Sequence, residues 1–368
     1  MKKECIVLSA INIFEGGPLS VLKDCLSILN KYKSSEFTII IFVHKKIIIN
    51  SLKYKTLKFV EFPKSRSSYI YRLYYEFYFF NRISIRIKPK YWFSFHDITP
   101  NLTSTKQFVY CHNPSPFNLL NIFDLILQPK QFLFKFFYKY VYFINIKKNE
   151  FVVVQQNWLK KEFIKLYNLK AEKVVVSKPS IEFNHFSPPN IRRNIDTIFF
   201  YPAYPRPFKN VEIICKSVNM LLKKNITNFY VYLTMNGTEN NYSKYIYNKF
   251  NHLENIVFTG ELSRNDVFDF YTKTDCLIFP SKLETWGLPI SEFKYLNKSI
   301  LASNLPYAKE TIGKYGKAKF FDPENHEQLA SYMEEIINSS IIYDETFLEK
   351  YDNPYTANWR ELFDKIFI

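Results

Sequence analysis

Short runs of β-branched and aromatic residues alternate with segments of helical period along most of the chain, and that alternation limits the fold more than any other feature. Residues 5–10, 38–43, 58–62, 91–95, 107–111 and 151–154 read as strands, and residues 20–31 and 158–167 as helices. Strands that are apolar throughout and separated by helices predict a parallel sheet covered on both faces. A second series begins at Thr197. Residues 197–201, 229–234, 255–258, 276–279 and 299–302 have strand character, whereas 211–222, 267–273, 289–295 and 327–338 have helical character. The expected class is therefore α/β, with two doubly wound, Rossmann-like domains.

At 368 residues the chain suits two such domains better than one. Prolines and polar residues interrupt the pattern at Lys178-Pro179-Ser180 and at Ser187-Pro188-Pro189-Asn190, which places a linker there. The expected division is 1–185 for an N-terminal domain and 186–354 for a C-terminal one. In the tail, Trp359, Leu362, Phe363 and Ile366 form one apolar helical face, so residues 355–368 are expected to join the first domain as a helix. The five cysteines are odd in number, widely spaced and without CxxC pairs, which suggests neither a zinc site nor a disulfide framework and favours a reducing compartment. The apolar run after Met1-Lys2-Lys3 leads into Glu15-Gly16-Gly17-Pro18 and reads as a first strand and a tight turn, not a secretory signal. No run approaches the roughly 20 apolar residues needed to span a bilayer.

The most informative local stretch runs from Phe279 to Glu292, FPSKLETWGLPISE. A strand ends at Phe279, a loop carries Glu284 and Gly287, and Pro289 falls where a first helical turn tolerates proline. Backbone N–H groups at such a turn suit a diphosphate. Seven residues separate Glu284 from Glu292, so one carboxylate can serve sugar hydroxyls while the other serves a ribose.

At these residues the chain resembles the retaining glycosyltransferases of family 4, whose signature is E-x-F-G-x-x-x-x-E. Trp286 stands at the phenylalanine position. The resemblance extends from about Tyr201 to Ile337, through Phe258-Thr259-Gly260, Asp275 to Ser281, Ala302-Ser303-Asn304, Pro306 and Glu310, and weakens toward the N-terminus. It implies a GT-B fold, with two Rossmann-like domains facing a central cleft. It also implies transfer of a hexose from a UDP- or GDP-linked sugar, with retention at the anomeric carbon. Trp286, Gly287, Leu288 and Glu292 would contact the donor and Glu284 would orient the sugar. Lys209 matches the lysine of the family's basic pair and would neutralise the leaving phosphate. The arginine of that pair is not in its usual place, and Arg206 is the candidate for it.

In the N-terminal half, Gly16 and Gly17 match a glycine-rich turn beside the donor phosphate. His112, just past a strand, matches a histidine near the anomeric carbon, with His96-Asp97 as its rival. Gln155 matches a cleft-lining segment, and Asn157 is expected to cap the helix that follows. No Asp-x-Asp suits a divalent metal, so no cofactor is expected. The formal charge of +16 favours polyanionic partners. Aromatics mixed with Arg and Lys in 69–92 and 129–148 suit either an interface with anionic lipid or core helices with long basic stems. The resemblance to surface-polysaccharide (O-antigen) enzymes implies a lipid-linked glycan acceptor and a peripheral place on the inner face of the bacterial cytoplasmic membrane. A non-catalytic sugar-binding module would share these residues, whereas a nucleic-acid-binding protein should carry a stacking or groove-reading motif that this sequence lacks.

Overall fold

The structure is a computed structural model that describes residues 3–103, 105–117, 128–179, 196–347 and 350–368. The chain divides into two compact units, Met1–Phe117 with Lys135–Glu182 and Tyr351–Ile368, and Asn118–Phe134 with Phe183–Lys350. Ser180 and the proline-rich stretch at 187–190 lie outside the described residues.

In the first unit, β1 (Glu4–Ala10), β2 (Phe37–Val43), β3 (Lys58–Glu61), β4 (Tyr91–Ser94), β5 (Lys106–Cys111), β6 (Phe151–Val154) and β7 (Val174–Ser177) form a sheet with a late strand, β14 (Tyr355–Thr356). Its order is β14-β7-β6-β5-β4-β1-β2-β3, and every pairing is parallel. Runs such as Phe151-Val152-Val153-Val154 show no polar alternation because helices cover both faces of a parallel sheet. The second unit holds β8 (Thr197–Tyr201), β9 (Phe229–Leu233), β10 (Ile256–Phe258), β11 (Cys276–Phe279), β12 (Ser299–Ser303) and β13 (Ala318–Phe321), ordered β10-β9-β8-β11-β12-β13 and again parallel.

Strand order reverses between β1 and β4 in one sheet and between β8 and β11 in the other. Loops leaving the carboxyl ends of strands diverge at such points and leave room for a ligand. The loops carrying Lys209 and Glu284 flank the second of them.

Two expectations about helix ends are corrected. Residues 355–368 are not helical throughout: Tyr355 and Thr356 pair with Val176 and Ser177, and the helix is Trp359–Ile366. The Asn358 side chain accepts from the Glu361 N–H at 3.0 Å and sets that start. Asn157 does not cap the helix Asn157–Tyr167; Gln156 holds the cap position, and the Asn157 side-chain Oδ1 accepts from the Asp352 N–H at 2.9 Å.

The tail buries the predicted stripe. Trp359 lies with its ring 5.5 Å from Phe95 and 5.3 Å from Tyr110, and Phe367 packs 5.3 Å from Tyr91. Trp359 is 1% exposed, so Trp359→Ala should lower unfolding free energy by about 3–5 kcal/mol, read by chemical denaturation. A loss below about 1 kcal/mol would show that the tail contributes little to this unit.

Candidate functional site

In the second unit, the chain leaves β8 through Pro202 and turns at Pro207–Lys209 into the helix Val211–Lys223. It leaves β11 through Pro280 and reaches the helix Leu288–Lys294 by way of Glu284 and Gly287. Backbone and side-chain bonds fasten the two loops together. The Lys282 N–H donates to the Phe208 carbonyl at 2.8 Å, and the Asn210 amide donates to Pro280 at 3.2 Å and to Pro323 at 2.8 Å. The Tyr201 hydroxyl donates to the Lys209 carbonyl at 3.0 Å and shares a 2.7 Å bond with the Ser281 hydroxyl. The Tyr307 hydroxyl donates to the Ser281 carbonyl at 2.6 Å. Burial, and then the Glu284 charge, pushes both phenols well above their ordinary range, so they remain donors.

This framework sets Lys209 Nζ 2.5 Å from Glu284 Oε1, with the side chains 19% and 13% exposed. Residues 75 positions apart in sequence thus form one ion pair at the strand-order reversal. The site is accessible enough to admit a ligand, yet shielded enough for charge to act strongly.

Gly287 has φ +85°, and a Cβ there would lie 3.3 Å from Ile290 Cδ1 and 3.4 Å from Phe279 Cε1. The backbone conformation therefore favours glycine at this bend, and a Cβ there would press on both neighbouring side chains. Trp286 supports the loop from within. It is 7% exposed, its indole N–H donates to Ser291 Oγ at 2.8 Å, and its carbonyl accepts from the Thr311 hydroxyl. Glu292 is buried as well. Its two oxygens accept from Arg264 Nη2 at 2.8 Å and from the Tyr271 hydroxyl at 2.9 Å, which leaves a lone pair on each oxygen for a further donor. Leu288 is half-buried at the start of the helix. Arg206 lies in extended backbone with its guanidinium 5.6 Å from the Tyr204 ring centre, and no carboxylate among the described residues pairs with it.

In the first unit, Gly16 and Gly17 open the helix Gly16–Ile28 instead of forming a separate turn before it. Gly16 has φ +65° and an open surrounding, so the backbone conformation alone demands glycine there. His96 is fully buried, with Nδ1 2.8 Å from the Ser9 carbonyl and Nε2 against Glu76, which makes it a structural link between β1 and the helical segment that carries Glu76.

Asp97 does different work. One of its oxygens accepts from the His112 N–H at 2.8 Å, the Asn113 N–H at 3.3 Å and the Tyr142 hydroxyl at 2.6 Å; the other accepts from the Tyr138 hydroxyl at 3.0 Å. Burial alone would raise its pKa, but His112, the Tyr142 hydroxyl, the His112 N–H and Arg72 together hold it below the usual carboxylate value. Burial lowers the His112 imidazole, against the opposing pull of Asp97, and thereby favours the neutral ring. Gln155 is also buried and donates to the Tyr110 hydroxyl at 2.8 Å.

Residues 184–352 match the glycosyl transferases group 1 family. The chain carries a glycosyl transferases group 1 domain. A further match, 22% identical over 240 residues, is to the O-antigen chain mannosyltransferase RfbU of Salmonella typhimurium. It covers 63% of this chain and 65% of that protein, just under two thirds of the relative's length. Among solved structures, WaaG, a glycosyltransferase involved in lipopolysaccharide biosynthesis, aligns with a TM-score of 0.66 at 13% identity, over 90% of this chain and 90% of that one. Anabaena Alr3699/HepE in complex with UDP-glucose aligns with a TM-score of 0.63 at 14% identity, over 91% and 89%. The fold is GT-B.

Lys209, Glu284, Trp286, Gly287, Leu288 and Glu292 all fall inside the group 1 domain, whereas Gly16, Gly17 and His112 precede it. Within the domain, sequence reasoning overlooked Tyr201, Tyr307 and Thr311 as supports of the Glu284 loop, and Arg264 and Tyr271 as partners of Glu292. Each is an ordinary residue of a strand or helix, and only its long-range bond marks it out. Among the described residues, no group of three or more His, Cys, Asp or Glu side chains is placed to hold a metal ion.

Proposed function

We propose that the chain is a retaining, metal-independent glycosyltransferase that moves a hexose from a UDP- or GDP-linked sugar to a hydroxyl of a lipid-linked oligosaccharide in O-antigen-type synthesis. The reading rests above all on the Lys209–Glu284 ion pair within a group 1 domain. The names of RfbU and WaaG support the polysaccharide setting, and the UDP-glucose bound to HepE supports a nucleotide-sugar donor.

In this reading the donor diphosphate takes over Lys209, whose cation replaces a metal in balancing the charge that grows on the leaving group. Glu284, released from the lysine, accepts from sugar hydroxyls and favours the positive charge of an oxocarbenium-like transition state. Glu292, already braced by Arg264 and Tyr271, holds the ribose with its remaining lone pairs. Arg206 and the N–H groups of Gly287 and Leu288 assist at the phosphates, while Gly16 and Gly17 allow close backbone approach. His112 supplies a neutral imidazole to the sugar.

Nucleotide release from a panel of UDP- and GDP-sugars, with and without bacterial membrane-lipid extract, tests this directly. One donor should turn over in an acceptor-dependent manner, without divalent metal and with the anomeric configuration kept. Binding without release from any donor would instead establish a sugar-binding module, and dependence on a metal would overturn the role given to Lys209.

A further inference from the structure

The helical segment from Tyr69 to Ile87 has two faces of opposite character. It comprises the helices Tyr69–Tyr74 and Phe80–Ile87, joined by a π-helical turn at Tyr75–Phe79. Arg72, Glu76, Phe80 and Ser84, spaced by four, are all buried. A spacing of four drifts around an ideal α-helix by about 40° per step, and the wider π turn takes up part of that drift. The inner face is tied down by Glu76 to His96 Nε2 and by Arg72 Nη2, which donates to the His96 carbonyl at 3.1 Å.

The outer face presents Ile70, Leu73, Tyr74, Tyr78 and Ile85 to solvent; Ile70 is 79% and Ile85 58% exposed. Aliphatic residues exposed to that extent along a pinned helix mark an interaction surface. Charge identifies the partner. From 63 to 90 the sole acidic residue is Glu76, which is buried, whereas Lys64, Arg66, Arg82, Arg86 and Lys88 are all exposed.

We propose that this outer face docks on an anionic phospholipid bilayer. The isoleucines and Leu73 enter the acyl boundary, the phenols lie among the headgroups, and the five cations meet lipid phosphates. A folded acidic protein would satisfy the cations but would need a matching apolar groove, and a nucleic acid would leave the isoleucines in water. No helix among the described residues is long and apolar enough to cross a membrane, so the contact is peripheral. The surface deepens the lipid-linked acceptor reading and depends on it for its purpose. Its binding behaviour can be measured independently.

The test is sedimentation of the full chain with vesicles of phosphatidylglycerol mixed with phosphatidylcholine, against phosphatidylcholine alone. Two double variants are compared with the wild type, Arg82→Glu with Arg86→Glu, and Ile70→Ser with Ile85→Ser. Their exposed positions should leave the thermal melt unchanged. Wild type should bind the anionic vesicles and release them with salt. The charge variant should lose about tenfold or more in partitioning, and the isoleucine variant should lose affinity that low salt does not restore. Equal binding by wild type and both variants, or absence of binding to either vesicle, would overturn the proposal. Vesicle binding without donor turnover would uphold this surface and remove the enzymatic reading; turnover of a donor without vesicle binding would do the reverse.

Discussion

Glu284→Gln should lower kcat by about 100-fold or more, the usual effect of removing one charged or hydrogen-bonding group that acts on the transition state. The amide keeps the size of the side chain and leaves Tyr201, Tyr307 and Asn210 to hold the loop, since none of their bonds uses the Glu284 carboxylate. Structure should therefore survive the substitution. Removing one partner of a shielded ion pair leaves the other uncompensated, which at 19% exposure should cost about 1–3 kcal/mol for Lys209, less than for a fully buried pair. Lys209→Met should likewise depress kcat, because the leaving diphosphate would lose its cation. Steady-state kinetics beside a denaturation curve separates the two effects. If either variant retains more than about a third of wild-type kcat, the ion pair belongs to the scaffold and not to the chemistry.

Asp97→Ala should lower stability as much as loss of Trp359, about 3–5 kcal/mol, because four donors and the nearby Arg72 cation lose their shared acceptor at once. Stability should also depend on pH in two windows. The His112 pKa lies below the 6.5 of a free imidazole, so the unfolded chain binds the extra proton first. Its contribution is complete above 6.5 and declines as the pH falls below that value. The Asp97 pKa lies below the 3.8 of a free carboxyl, so its contribution is complete above 3.8 and is lost as the pH falls through the depressed folded value. Asp97→Asn should remove much of the second, acidic decline. It should also lower the His112 pKa further, since the carboxylate is the one charge raising it, a shift that NMR titration of the imidazole reads directly. An unchanged His112 titration would show that Asp97 supports the chain without setting the histidine.

Much of this molecule could be read from local pattern. Strands such as 276–279 and 151–154, and helices such as 158–167, announced themselves because a doubly covered parallel sheet requires short apolar runs alternating with amphipathic helices. Val174–Ser177 escaped because it runs straight into Lys178-Pro179, which reads as linker, Ala318–Phe321 because Lys319 interrupts its apolar run, and Asn241–Phe250 because its tyrosines and asparagines have weak helix preference, offset in the structure by the Asn240–Ser243 capping box.

At the site, the Glu284-to-Glu292 spacing, the demand for glycine at 287 and the placement of proline in the first helical turn are local matters, and the sequence determined them on its own. The tail's apolar stripe was equally local. What tertiary structure alone decided was which groups share a charge. The reversal of strand order between β8 and β11 brought Lys209 to Glu284. Burial set Arg264 and Tyr271 on Glu292, and gave Asp97 four donors from two separate segments. Such pairings depend on distances between residues far apart in the chain and on how much water is excluded around them, and a linear pattern encodes neither.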